Sequence, residues 1–381
     1  LEDPRGIACD REGRIYIAQR GARQNVEIFN REGARRGHIG KPGGRPEHGF
    51  FDPLGMRKPA QIALDSRGRL WVTESTHQPK RSSVWNADGT LAFDLVGTTG
   101  YAAGGIVNPF DHTRAFSEWV EYSLDYQNQT FRPLFTLPDA LGTGLGRITK
   151  IVRVNGIEYA QGRSSARGAG MVKLYMRKKD GSWHHAAEWG NVGAGRSMDD
   201  KHHKWWNARF EGPLWEGRFG HAFLWVDRNG DGAAQRDEIQ TREDVRFGAY
   251  YWGQAVGNDL TVVLPERKTG RLYFFKPRAF SLSGLPLFNL DEARTVKPEC
   301  ALRGEGMMAV GRDERVYLNQ NPLTAVDRHG KVLWTYPSHY VSVHGSHRAP
   351  AARPGLLIGP SSIYGTAWVS EEIGEVFYMN G

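Results

Sequence analysis

Apolar positions along the first hundred residues alternate in short runs, and the three-to-four spacing of a long amphipathic helix is absent. The segment Pro4-Arg5-Gly6-Ile7-Ala8-Cys9-Asp10-Arg11-Glu12-Gly13-Arg14-Ile15-Tyr16-Ile17-Ala18 aligns without gaps on Pro59 to Thr73 at an offset of 55 residues, with Pro, Ile, Ala, Asp, Gly and Arg identical. Each copy predicts a strand, an Asp-x-x-Gly turn and a second strand, the pattern of a hairpin. Third strands are predicted at Val26–Asn30 and Ser83–Asn86, and a fourth returns through Ile39 or Leu91–Val96.

Four short antiparallel strands, repeated, make the blade of a β-propeller. Weaker units follow at 114–137, 148–189, 307–334 and towards the end at 356–378, with further strands at Ala222–Val226, Thr261–Leu264 and Arg271–Phe275. The expected fold is all-β: a single propeller over 1–381 of about six to eight blades, seven favoured, with an insertion at about 190–260. The order Pro-x-x-Ile-Ala-x-Asp-x-x-Gly-Arg followed by aliphatic, aromatic and aliphatic residues resembles the NHL-repeat propellers of bacteria, and the unit at 307–334 resembles a quinoprotein-type blade. This resemblance is tight over 4–97 and loose beyond.

Composition refines this picture. The 47 glycines among 381 residues read as turns and blade packing rather than phosphate-cradling loops. Two cysteines, Cys9 and Cys300, exclude a disulfide scaffold, and whether they bridge is left open. No apolar run reaches the roughly 20 residues of a bilayer-spanning helix, so a soluble chain without a membrane partner is expected. The start at Leu1 and the end in a strand-like run predict a fragment or trimmed chain.

The most specific motif is Asp227-Arg228-Asn229-Gly230-Asp231-Gly232-Ala233-Ala234-Gln235-Arg236-Asp237-Glu238. Oxygen ligands at positions 1, 3 and 5, Gly at 6, a carbonyl at 7 and a carboxylate at 12 form the calcium loop of an EF-hand. Asp227, Asn229, Asp231, the Ala233 carbonyl and Glu238 are therefore the expected Ca²⁺ ligands. A strand precedes the loop, so it resembles the solitary calcium loops of secreted bacterial proteins such as dockerins. That implies a structural ion and a secreted or periplasmic bacterial setting.

The net charge of +8 is regional: residues 141–220 hold 14 Lys and Arg against 7 Asp and Glu, a balance of 14 − 7 = +7. Trp183, Trp189, Trp205, Trp206 and Trp215 share this stretch with His184, His185, His202 and His203. Aromatic faces stack on sugars and cations pair with carboxylate or sulfate, which points to an acidic polysaccharide bound by His202, His203, Trp205 and Trp206. Trp183 and Trp189 read equally as blade core. Without a nucleic-acid motif, specific nucleic-acid binding is not expected.

A second loop, Val343-His344-Gly345-Ser346-His347-Arg348, combines His344 and His347 as acid or base with Arg348 and nearby Tyr340. It supports an alternative: a lyase or glycoside hydrolase acting on uronate-containing polymers. No Gly-x-Ser-x-Gly elbow, Walker loop or dinucleotide fingerprint is present. The leading expectation is a monomeric, calcium-stabilised binding protein for an acidic glycan or similar anionic ligand, with the enzyme and a protein-interaction scaffold as alternatives.

Overall fold

The two aligned segments fold alike because their turns use the same side chain. Asp10 accepts the backbone N–H of Arg14 at 2.8 Å, and its other oxygen takes the Arg14 guanidinium at 2.5 Å and the Tyr16 hydroxyl at 3.1 Å. Asp65 repeats this with Arg69 N–H at 2.9 Å, the Arg69 guanidinium at 2.8 Å and the Trp71 indole at 3.1 Å. Gly13 and Gly68 close the turns at φ +78° and +72°, where a side chain would be strained. These aspartates are blade architecture, as their recurrence in the sequence implies.

In the computed structural model, residues 1–97, 99, 105–163, 172–194, 197–248, 253–266, 268–302, 308–337 and 362–380 are described. The chain divides into two compact units, Leu1–Pro138 and Asp139–Gly381. Regular structure is almost entirely antiparallel strand.

The first unit holds three meander sheets. The first runs Pro4–Cys9, Ile15–Gln19, Asn25–Phe29, Arg35–Ile39, and the second runs Pro59–Leu64, Leu70–Glu74, Arg81–Trp85, Leu91–Val96, each in chain order. The third is Gly105–Val107, Arg114–Ser117, Val120–Asp125, Thr130–Thr136, with Gly49–Phe50 added beside the last strand. Tyr16, Val26, Ile39, Val72 and Trp85 are among the core side chains of the first two sheets.

In the second unit the fourth sheet has six strands: Ile148–Val154, Ile157–Arg163, Val172–Arg177, Trp183–Asn191, Ala222–Val226 and Ile239–Arg242. The last two extend a four-stranded meander, so the calcium-type loop joins neighbouring strands of this sheet. A further four-stranded meander comprises Met308–Val310, Val316–Leu318, Leu323–Val326 and Val332–Tyr336. A three-stranded sheet contains Val262–Pro265, Leu272–Phe275 and Arg294–Val296, and a hairpin pairs Ser362–Ser370 with Gly374–Asn380. Chain-ordered antiparallel meanders of this kind are blade-like, and the fold is β-propeller-like in that sense.

One core of the second unit lies on the face of the fourth sheet that carries Leu174, Ala187, Trp189 and Leu224. Another covers Phe223 and Trp225 with Trp206, Phe210 and Trp215 from the 192–221 segment. Both cysteines are free thiols. Among the described residues no helix is long and apolar enough to cross a membrane.

Candidate functional site

Three features converge on the fourth sheet. The first arises from a bulge. Leu174 pairs with Ala187 but Tyr175 pairs with His185, leaving Ala186 as an extra residue. His185 and Glu188, three apart, thereby share a face with Lys173 and Tyr175, whereas regular alternation would separate them. Lys173 is fully buried there, and its ammonium donates to Asp139 at 2.6 Å and Thr143 at 2.8 Å and lies 3.2 Å from Glu188. Thr143 donates its hydroxyl to Glu188 at 2.7 Å. The His185 ring stacks on Tyr175 at 5.0 Å and meets Trp225 at 4.8 Å.

Burial opposes charge throughout this cluster, and position decides who keeps it. Burial raises the Asp139 carboxyl, but Lys173 more than offsets this and holds it at about 2. Burial pushes Glu188 up to about 7 despite Lys173. Burial and then the Lys173 charge push His185 well below its ordinary value, leaving a neutral ring whose Nδ1 accepts the Ala140 N–H at 3.3 Å. Burial works against the Lys173 ammonium, yet the two carboxylates outweigh it and keep its pKa raised.

Asp139, His185 and Glu188 are the one group among the described residues whose possible metal-ligating atoms lie within 4.8 Å of one another. The Lys173 ammonium already supplies the cation to the two acids, so the cluster reads as an internal ion network. None of these four residues was singled out as a site from the sequence. The available signal was a lysine and a glutamate inside otherwise apolar strand runs.

The second feature is the 227–238 loop. Asp227 is buried at the end of the Ala222–Val226 strand and accepts the N–H groups of Gly230 and Gly232, both at 2.8 Å. His184 Nε2 lies 2.6 Å from its second oxygen. Asn229 and Asp231 are joined side chain to side chain at 3.1 Å, and Asp231 accepts the Ala233 N–H at 2.8 Å. Gly232 turns the chain at φ +81°. The all-oxygen donor set of Asp227, Asn229, Asp231 and the Ala233 carbonyl fits a hard cation such as Ca²⁺. Glu238 is engaged differently: its carboxylate accepts Arg228 N–H at 2.8 Å, the Trp225 indole at 3.1 Å and Gln235 N–H at 3.3 Å. It latches the loop to the sheet.

The third feature is the 192–221 segment. Buried Asn207 accepts the Ala194 N–H at 2.9 Å and donates to the Ser197 carbonyl at 2.9 Å, which folds the segment over the short helix Lys204–Asn207. Arg236 of the calcium-type loop donates to the carbonyls of Pro213 and Glu216 and so ties that loop to the segment. Trp205 is 67% exposed and Trp206 is 1% exposed, their rings meeting edge to face at 5.3 Å. Lys201, His202 and Lys204 are exposed nearby in sequence, while half-exposed His203 lies 3.4 Å from Asp200.

Trp206 thus corrects the sequence expectation, because a helix this short sends neighbouring side chains to opposite environments and Trp206 is taken by the core. Trp183, Trp189 and Trp215 are likewise core residues. Tyr340, His344, His347 and Arg348 lie outside the described residues.

No protein-family model matches the chain, and no curated protein matches it. Solved structures similar to it include the pyranose dehydrogenase PQQ domain from Coprinopsis cinerea, at 12% identity, 87% of this chain, 92% of that chain and a TM-score of 0.23. Another is a mitotic checkpoint complex chain, at 10% identity, 87% and 89% coverage and a TM-score of 0.25. A Bacteroides thetaiotaomicron protein of unknown function has 11% identity, 87% and 68% coverage and a TM-score of 0.23.

Proposed function

We propose that this chain is a calcium-stabilised, secreted or periplasmic propeller protein of seven NHL-type blades that binds an acidic glycan through its 192–221 segment. The observation that carries the binding reading is the exposed Trp205 ring, set on a buried aromatic base and accompanied by exposed Lys201, His202 and Lys204. A large apolar ring left in water is a sugar-stacking platform, and the cations around it favour a polyanion. Asp227, Asn229, Asp231 and Ala233 would hold the ion. Calcium, when bound, neutralises the loop carboxylates and stiffens the turn. The Arg236 contacts extend that stiffening to the glycan-binding segment.

Calorimetric titration with polygalacturonate and with a neutral galactan tests the binding. The acid polymer binds more tightly, and Trp205→Ala weakens it by about tenfold or more. If the wild-type chain binds no acidic polymer, the reading is wrong. Calcium is tested separately by metal analysis and thermal melting. Saturating calcium raises Tm relative to chelator, by about 2.7 kcal/mol of added stability at 100 times Kd, and Asp227→Ala removes the rise. Equal melting with calcium and with chelator would remove the ion from the proposal.

A further inference from the structure

Resting on the glycan-binding reading above, one side chain can be assigned the choice of ligand charge. Trp205 and Arg209 stand four residues apart on one short helical stretch, the turn Lys204–Asn207 continued by the 3₁₀ turn Ala208–Phe210. The Arg209 guanidinium lies 4.3 Å from the centre of the Trp206 ring. Its Nη1 end abuts Gly144, where an added Cβ would fall 1.7 Å from that nitrogen. The indole and the bare glycine together form a slot that fixes the guanidinium.

Among the described residues Arg209 has a ring contact but no hydrogen bond and no ion pair. Asp139, the acid that acts on it electrostatically, is already gripped by Lys173 at 2.6 Å. A half-buried cation kept in place without an ion pair of its own is preorganised for an anion that arrives from outside. The shape of the cation narrows the choice. A planar fork of N–H donors matches the two coplanar oxygens of a carboxylate, which a lysine ammonium cannot match in the same bidentate way.

We infer that Arg209 is the carboxylate-recognising residue of this surface, pairing with the uronate carboxyl of a sugar that stacks on Trp205. The test compares polygalacturonate, its carboxyl-reduced galactan and dextran sulfate as ligands for the full chain and for Arg209→Met, Arg209→Lys and Trp205→Ala, with melting curves for each variant. Arg209→Met weakens polygalacturonate binding by about tenfold to a hundredfold and leaves the weaker galactan binding unchanged. Arg209→Lys keeps the charge and restores only part of the loss. If Arg209→Met does not fold, the lysine variant carries the comparison.

Wild-type affinity for polygalacturonate in both Arg209 variants, with loss in Trp205→Ala, overturns this inference and leaves the surface reading standing. Loss of dextran sulfate binding alone assigns Arg209 to sulfate and overturns the carboxylate choice. Absence of any polymer binding by the wild-type chain overturns both readings together.

Discussion

The second and fourth sheets each bury an ion network, centred on groups of opposite charge. In the second, Glu74 sits between two guanidiniums, 2.6 Å from Arg45 and 3.1 Å from Arg81, and Arg81 reaches on to Asp94 at 2.7 Å and to the Gly55 and Pro53 carbonyls. In the fourth, Lys173 sits between two carboxylates. Arginine has five donors in a fork and stays charged, so one residue satisfies several acceptors at once. Lysine has three, and Asp139 and Thr143 take two of them as hydrogen bonds while Glu188 stands 3.2 Å away. Glu188 is left with the longest of these contacts, and burial, which Lys173 only partly offsets, pushes its carboxyl up to about 7. A buried network is only as robust as its donor count.

The sharpest way to break the contrast is to remove one cation from each network. Lys173→Met strands two buried carboxylates and should lose about 3–5 kcal/mol. Arg45→Met leaves Arg81 on Glu74 and should lose about 1–3 kcal/mol. Urea unfolding followed by circular dichroism measures both, and an Arg45→Met loss equal to that of Lys173→Met would void the comparison.

The next effect is in pH. Because the Glu188 pKa is raised from 4.5 to about 7 in the fold, its contribution is fully present below pH 4.5 and is lost as pH rises through 7, on the order of 3 kcal/mol in all. Asp139 is depressed from 3.8 to about 2, so its contribution is present above pH 3.8 and is lost as pH falls through 2. Buried neutral His185 adds stability as pH rises in the same window in both chains, so the test is the difference. Unfolding series from pH 4 to 8 should show the stability of the wild-type chain falling relative to that of Glu188→Gln as pH rises. An unchanged slope in that variant would show that Glu188 does not titrate in this range.

The smallest effect sharpens the geometry. Arg81→Lys keeps the second-sheet charge but gives up part of the fork, and about 1–2 kcal/mol should go with it. A loss within error would mean that charge, rather than the number of donors, holds that network.

How much of this was legible depended on regularity. The first two sheets could be read strand by strand because Asp10 and Asp65, with Gly13 and Gly68, mark identical turns in an unbroken alternation. The fourth sheet resisted at its polar face. The bulge shifts alternation by one residue, so the spacing of His185 and Glu188 hides that they share a face, while neighbouring His184 contacts Asp227. Asp139 joins the cluster from 34 residues away in sequence, beyond any local pattern. The tryptophan pair posed a different difficulty: Trp205 and Trp206 are the same residue type side by side, and only packing of the segment on Phe223 and Trp225 decides which faces water. Arg209 carried no motif at all, and its interest comes from a stacking partner and a glycine 65 residues earlier. The loop at 227–238 was legible as a loop and as an oxygen-rich turn, while the inward use of Glu238 depended on the Trp225 indole.

The extra residue at Ala186 has a consequence for how this gene product can vary. Side-chain replacements around it change volume or polarity at one point. Loss of Ala186 would leave Tyr175 opposite His185, Leu174 opposite Ala187 and Lys173 opposite Glu188, so Glu188 and Trp189 would keep their faces in a strand of plain alternation. A one-residue gap further along the strand has no such spare residue to draw on and turns whatever lies beyond it to the opposite face. Variants that fold should therefore tolerate a deletion at Ala186 more readily than one at Glu188 or Trp189.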